Sequence, residues 1–186
     1  MASAFSHAVA ALSIGSCFHR SQIPKHVWAA GAMCSVIPDL DVIGFHFGIH
    51  YADFWGHRGF THSLLFAVLL ASAIAVVMSW RGTSGIGRFA LFGYLFMATA
   101  SHGLLDSITN GGLGVAFFSP LNNNRYFLPW RPVDVSPIAV SRFFTSRGFA
   151  IIQSEFVWIW LPAILFAAMV FTLRRLSQRD EANSLN

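Results

Sequence analysis

From Phe60 to Trp80 the chain runs 21 residues with no charged side chain after His62. As a helix rising about 1.5 Å per residue, this run is about 31 Å long, the thickness of a bilayer's hydrocarbon core. A chain carrying such a run must either bury it in a large core or place it in a membrane, and composition decides between the two. Hydrophobic residues make up 55% of the 186 positions and charged residues 11%, with 19 Phe and 6 Trp. An ordinary soluble domain is roughly 25% charged. The mean hydropathy is +0.57. The expected class is therefore all-α: a polytopic membrane helical bundle of about five hydrophobic helices in a single domain, 1–186.

The other elements follow in order. Ala4 to Phe18 is apolar but short for a span, and a polar turn from His19 to His26 leads to a second short apolar element, Val27 to Ile37, ending at Pro38-Asp39-Leu40-Asp41. Val42 to Trp55 reads as loop with a short interfacial helix. Phe60 to Trp80 is the firmest span, and Phe89 to Ile108 the next, stopped by Asn110-Gly111-Gly112. From Gly111 to Glu155 prolines and asparagines predict a mostly irregular interfacial region, with an interfacial helix over Phe143 to Gln153. The last span is Phe156 to Leu173, and 174–186 is a frayed polar tail. The first residues, Met1 to His7, contain no Lys or Arg, so no cleavable signal peptide of the standard form is expected.

The formal net charge is +4, but the only lysine is Lys25 and no basic block is present. Arginines flanking membrane helices explain this balance better than nucleic-acid binding does. Arg20 and Lys25, then Arg81 and Arg88, then Arg174, Arg175 and Arg179 fall at alternate ends of consecutive elements. Placing them in the cytoplasm gives one consistent topology. Cys17 and Cys34 lack CxxC spacing and read as small core residues.

That topology gathers His7, Asp39, Asp41, His57, His62, His102 and Asp106 at the end opposite the arginine clusters. His102 and Asp106 are i and i+4, on one helix face. Asp39 and Asp41 flank a turn, and His57 and His62 bracket a glycine-containing one. Charged groups in a membrane are costly enough that such a gathering calls for a partner. Imidazole and carboxylate together are a ligand set for zinc, manganese or iron, as one ion or two. Taken singly, His7 is a helix-packing residue, Asp39 a helix cap and His102–Asp106 a hydrogen-bonded pair; the metal reading rests on the group. His19, His26, His46 and His50 read as solvated loop residues. Arg58 is placed to meet either an anionic substrate or a lipid headgroup. Arg125 and Arg131 bracket Tyr126-Phe127-Leu128-Pro129-Trp130, an aromatic and basic segment suited to a lipid surface or a wall of the site.

These same residues carry a resemblance. His7, Pro38-Asp39-Leu40-Asp41, Gly56-His57-Arg58-Gly59-Phe60-Thr61-His62-Ser63, Ser101-His102-Gly103-Leu104-Leu105-Asp106 and Arg125-Tyr126-Phe127-Leu128-Pro129-Trp130-Arg131-Pro132 with Val135-Ser136-Pro137 resemble the YdjM-like family of bacterial inner-membrane proteins. That family is described as LexA-binding, inner-membrane-associated metal-dependent hydrolases. The resemblance covers nearly the whole chain and implies a bacterial inner-membrane location, a hydrolase-like metal site and a LexA-type protein partner. The ligand pattern alone is similar to that of zinc-dependent phospholipase C.

The functional expectation is a membrane-embedded metal-dependent hydrolase acting on a phosphoester or lipid-linked substrate, with the site at the periplasmic face. Zinc is the expected metal. Asp41 is expected as the general base as well as a ligand, and Arg58, with Arg125 and Arg131, as substrate-binding. The competing expectation is a non-catalytic membrane protein with a structural metal and a protein partner.

Overall fold

A computed structural model describes residues 1–18, 23–82, 85–137 and 145–184, with side chains described as far as 179. His19, Arg20 and Arg142, and the start of the helix expected from Phe143, lie outside these residues. Among the described residues the chain is helical, with isolated β-bridges at Thr109–Val133 and Val115–Tyr126 and no strand. The helices are α1 (Ala4–Gly15), α2 (Lys25–Val36), α3 (Leu64–Trp80), α4 (Arg88–Ser107), α5 (Ser146–Glu155) and α6 (Leu161–Ser184).

Among the described residues two helices are long and apolar enough to cross a membrane, Lys25–Phe47 and Ser146–Arg179. The second contains the expected last span, Phe156 to Leu173, whereas the first was expected to be short and Phe60 to Trp80 falls below the length of a span. The run from Phe60 loses its first turn to a 3-10 segment, Phe60–His62, and Ser63 then caps α3 by accepting from the Phe66 amide at 3.1 Å. The 17 residues of α3 span about 26 Å, roughly one turn short of the hydrocarbon core. Conversely, α2 does not stop at Pro38. Proline is tolerated at the start of a helical segment, and a 3-10 helix continues from Ile37 to Phe47, ending at Gly48 with φ 79°. Val42–Phe47 is therefore part of this helical path rather than loop. At the other end α5 and α6 are joined through a π-helical turn, Phe156–Trp160. Helix continues past Leu173 to Ser184, so the basic residues Arg174 and Arg175 lie on α6 rather than in a frayed tail.

Helix α4 packs against α1, α2 and α3. Its Leu91, Tyr94, Leu95 and Ala98 are buried against Ala11 of α1, Val27 and Cys34 of α2, and Ala71 and Ala75 of α3. The contact face of α3 is a stripe of alanines, Ala67, Ala71 and Ala75, spaced four apart. Small residues let helices approach closely where lipid provides no hydrophobic drive for packing. Gly31 is the tightest such contact: a Cβ there would lie 2.1 Å from the Tyr94 hydroxyl. Cys34 is in this core, whereas Cys17 is exposed, contrary to the expectation of two core cysteines. On α6, Ile164, Leu165, Met169, Phe171 and Leu173 face outward, each more than half exposed. That apolar surface is accounted for by lipid.

At one end of the bundle, 48–63 and 109–137 form an irregular cap. It is tied down by backbone bonds from Ala116 N–H to the Arg58 carbonyl (3.0 Å) and from Leu64 N–H to the Phe117 carbonyl (3.0 Å).

Candidate metal centre

The cap places its histidines through tight backbone turns. A Cβ at Gly56 would lie 2.2 Å from the His50 carbonyl oxygen, and one at Gly59 2.3 Å from that of Phe54, so the loop closes on itself only with glycine at both positions. Arg58 between them adopts a left-handed φ of 63°. His62 ends the 3-10 turn before α3, and its carbonyl packs on Gly103 of α4. His102 and Asp106 project from α4, Asp39 and Asp41 from the 3-10 extension of α2, and His7 from the second turn of α1.

Asp39, His62, His102 and Asp106 converge with every side chain buried. His102 Nδ1 lies 2.7 Å from the Ser35 carbonyl, which only accepts, so Nδ1 carries the proton and Nε2 presents a lone pair. His62 Nδ1 lies 3.0 Å from the Thr61 hydroxyl and 3.3 Å from Asp41 Oδ2, while that hydroxyl donates to the same Oδ2 at 2.8 Å. His62 Nε2 also points inward, 2.9 Å from His102 Nε2. At that distance one of the two nitrogens carries a proton when no metal is bound, and both can turn lone pairs to a metal that replaces it.

Carboxylates complete the group. Asp39 Oδ1 is 3.3 Å from His102 Nε2 and 3.6 Å from His62 Nε2. Asp106 Oδ2 is 3.5 Å from His62 Nε2 and 3.9 Å from His102 Nε2. Ligands about 2.0–2.1 Å from a tetrahedral metal stand about 3.3 Å from one another, and these separations bracket that value. Both Asp39 oxygens are buried without a hydrogen-bond partner, as are both nitrogens of His7, and Asp106 Oδ2, also without a hydrogen bond, lies 3.1 Å from Arg58 Nε. Unpaired buried polar atoms are rare and costly, and here they cluster around one point. The residues present fit a divalent metal. His7 stacks on His102 with ring centroids 3.8 Å apart. Its Nε2 faces the other carboxylate oxygens, 3.6 Å from Asp106 Oδ1 and 3.9 Å from Asp39 Oδ2.

A second set of side chains surrounds the first. Asp41 holds two histidines at once, His57 Nδ1 at 2.7 Å through Oδ1 and His62 Nδ1 through Oδ2. A carboxylate behind a ligating histidine fixes its orientation and raises its basicity. Asp41, His57 and His62 also form a group spaced closely enough to hold a metal of their own, though the Asp41 contacts already occupy both Nδ1 atoms. His57 Nε2 remains buried and unpaired, and burial lowers its pKa despite the adjacent Asp41.

Arg58 is fully buried, with Nε 3.1 Å from Asp106 Oδ2, Nη1 donating to the Gly111 carbonyl and Nη2 to the Thr109 hydroxyl, both at 2.9 Å. Its whole guanidinium is thus engaged within the protein. Arg125 clamps the histidine loop from outside, donating to the carbonyls of His57 (2.7 Å), Tyr51 (3.0 Å) and Asp53 (3.2 Å). Arg131 is exposed, its guanidinium 4.6 Å from the centre of the Phe127 ring. His50 lies at the surface, 3.5 Å from Asp53. Sequence reasoning passed over Thr61, Ser35 and Glu155. Thr61 lies inside the histidine motif, Ser35 acts only through its carbonyl, and Glu155 stands at the head of the last apolar run.

Burial opposes a charge on His62, but its hydrogen bonds with Asp106, Asp39 and Asp41 outweigh burial and raise its pKa to about 10. Without metal the cluster therefore keeps a proton on His62 through neutral pH, and a metal must displace it. Affinity should rise about tenfold per pH unit between about pH 6 and 9, with about one proton released per metal bound. Calorimetric titration in two buffers of different ionisation enthalpy measures that proton. Identical heats in both buffers would show that none is released.

A family model described as "YdjM inner membrane protein" matches residues 1–178. The chain is 39% identical to the Inner membrane protein YbcI of Escherichia coli (strain K12) over 175 residues, 94% of this chain and 100% of that protein. No solved structure matches.

Proposed function

The chain belongs to the YdjM family of inner membrane proteins, and we propose that it is a metal-dependent hydrolase acting on a phosphoester at the membrane face. The observation that carries this reading is the convergence of buried imidazole and carboxylate groups from His62, His102, Asp39 and Asp106, with both Asp39 oxygens and Asp106 Oδ2 lacking a hydrogen bond. These four residues hold the metal, with His7 on the far edge of the two carboxylates. Zinc suits this donor set best, and one ion or two can be accommodated. When bound, such a metal polarises a phosphoryl oxygen and lowers the pKa of water.

The chain's own residues do the rest. Asp41 holds the His57 ring through Nδ1 and leaves Nε2 free to take and return a proton, the division of labour of an Asp–His pair. Arg58 fixes Asp106 rather than the substrate. The cap's exposed aromatics, Trp55 and Trp130, with Arg131, suit the interface where lipid phosphate lies. Lipid-linked phosphoesters are accordingly the substrate class. In the finer topology five hydrophobic elements cross or enter the membrane, and the arginine-rich ends face the cytoplasm, placing the site at the periplasmic face.

The test is metal analysis of detergent-purified protein, followed by a phosphoester panel that includes phospholipids. One metal or two per chain, with hydrolysis lost in Asp39→Asn, is the expected result. A metal-loaded protein inert toward the whole panel would favour the second reading. That reading is a structural metal in a membrane protein that binds a protein partner, and the near-complete burial of the four ligands favours it.

A further inference from the structure

Glu155 is a fully buried carboxylate in the segment Ser146–Arg179, on a different helix from His102 and Asp106 and close to the start of the chain, where the Ala2 N–H donates to Asp106 Oδ1 at 2.8 Å. A buried acid in a membrane segment is expensive unless it is partnered. Among the described residues its carboxylate is met at the start of α1. Oε1 accepts from the Ser3 backbone N–H at 2.5 Å, and Oε2 accepts from the hydroxyls of Ser3 at 2.5 Å and Ser6 at 2.7 Å. Ser3 is the N-cap of α1, and Ser6 stands three residues on.

In an ordinary capping box, an acid at that third helical position reaches back to the N-cap N–H. Here the position is Ser6, too short to do so, and the acid comes from 152 residues away. The π-helical turn, Phe156–Trp160, makes this possible. In an α-helix, residues five apart point about 140° from each other. In a π-helix, whose hydrogen bonds run i to i+5, they lie nearly above one another. Glu155 and Trp160 can therefore meet the same hydroxyl, and Trp160 Nε1 donates to Ser6 Oγ at 2.7 Å. The next residue on α1 is His7, whose Nε2 faces Asp39 and Asp106.

We propose that Glu155 is a positioning residue for the metal centre: it completes the N-terminal cap of α1 from the last transmembrane segment and so sets where the His7 imidazole stands. The inference rests on the metal reading of the His/Asp cluster. The π-helical turn is the device that brings Glu155 and Trp160 to a single point on α1. The carboxylate does not touch the metal, and its effect passes through the backbone of one helical turn.

The probe is Co(II), titrated into detergent-purified full-length protein and read by its visible absorption, which reports coordination number and ligand type. His7→Ala should shift the spectrum and weaken binding. Glu155→Ala should shift it in the same way, with affinity about 10–100-fold lower, the usual range for partners behind a ligand. The double variant should go no further than His7→Ala, and Glu155→Gln should restore the wild-type spectrum because it keeps an acceptor for the Ser3 N–H. A wild-type spectrum and affinity in Glu155→Ala, where His7→Ala changes both, overturns the proposal. So do additive effects in the double variant. If Glu155→Ala does not fold, Ser3→Ala/Ser6→Ala takes its place, and an unshifted spectrum there overturns it equally. No Co(II) binding by wild-type protein would instead sink the metal reading itself.

Discussion

Replacing His102 with alanine strips the metal from the protein: after dialysis the metal-to-chain ratio should fall from about one or two to near zero, with affinity at least ~100-fold weaker. The loss should exceed the 10–100-fold typical of a residue behind the ligands, because His102 supplies a ligand atom itself. Its ring has little freedom to compensate. The Ser35 carbonyl holds Nδ1 at 2.7 Å, the His7 ring stacks on one face, and Nε2 points at His62 Nε2 and Asp39 Oδ1. His50→Ala is the matched control, since that imidazole is 88% exposed and lies 3.5 Å from Asp53, away from the cluster. It should bind metal as wild type does. A His102→Ala protein that is folded and keeps its full complement of metal would remove the assignment of this cluster as a metal centre.

The candidate site was more legible in the sequence than the spans were, for a physical reason. His102 and Asp106 lie four apart on a true α-helix, so helical periodicity places both on one face without further information. Asp39 and Asp41 were harder. They lie on a 3-10 helix with about three residues per turn, so their side chains diverge by about 120°. Asp39 enters the ligand group, while Asp41 turns to His57 and Thr61. Spacing alone offered them as equivalent. Arg58 was read toward a substrate because its position between two histidines is visible in sequence, whereas its contacts with Thr109 and Gly111, more than fifty residues away, are not. The last span, Phe156 to Leu173, was legible, but the earlier ones were misjudged because hydropathy measures apolar length, not where regular helix begins. Phe60–His62 are apolar enough to join α3 but turn as 3-10, and Pro38 looked like a stop although it sits where a new helical segment opens. The cap from Gly111 onward was read as irregular, and Pro120, Pro129 and Pro132 leave it so.

Removing Arg58 should be the most damaging single change to the fold. Arg58→Ala should lower the stability of the metal-free protein by about 3–5 kcal/mol, the range for breaking a buried ion pair and leaving one charge alone. The guanidinium is fully buried, lies 3.1 Å from Asp106 Oδ2, and bonds Gly111 and Thr109. Truncation would therefore take the guanidinium from the Asp106 carboxylate and from the Gly111 carbonyl, while the Thr109 hydroxyl keeps its bond to the Asp106 carbonyl. Lysine should rescue little. Its single ammonium can approach Asp106 but cannot also meet two partners set by a planar fork. Metal should narrow the gap, because a divalent cation beside Asp106 replaces part of the charge that Arg58 supplied. Unfolding midpoints in detergent, compared with and without saturating zinc, therefore make a sharp test. Wild type and Arg58→Ala should differ more without zinc than with it. Equal midpoints without zinc would mean that the Arg58–Asp106 pair does not hold this end of the bundle together. An equal gap in both conditions would separate Arg58 from the electrostatics of the metal centre and leave it a role only in joining the cap to α4.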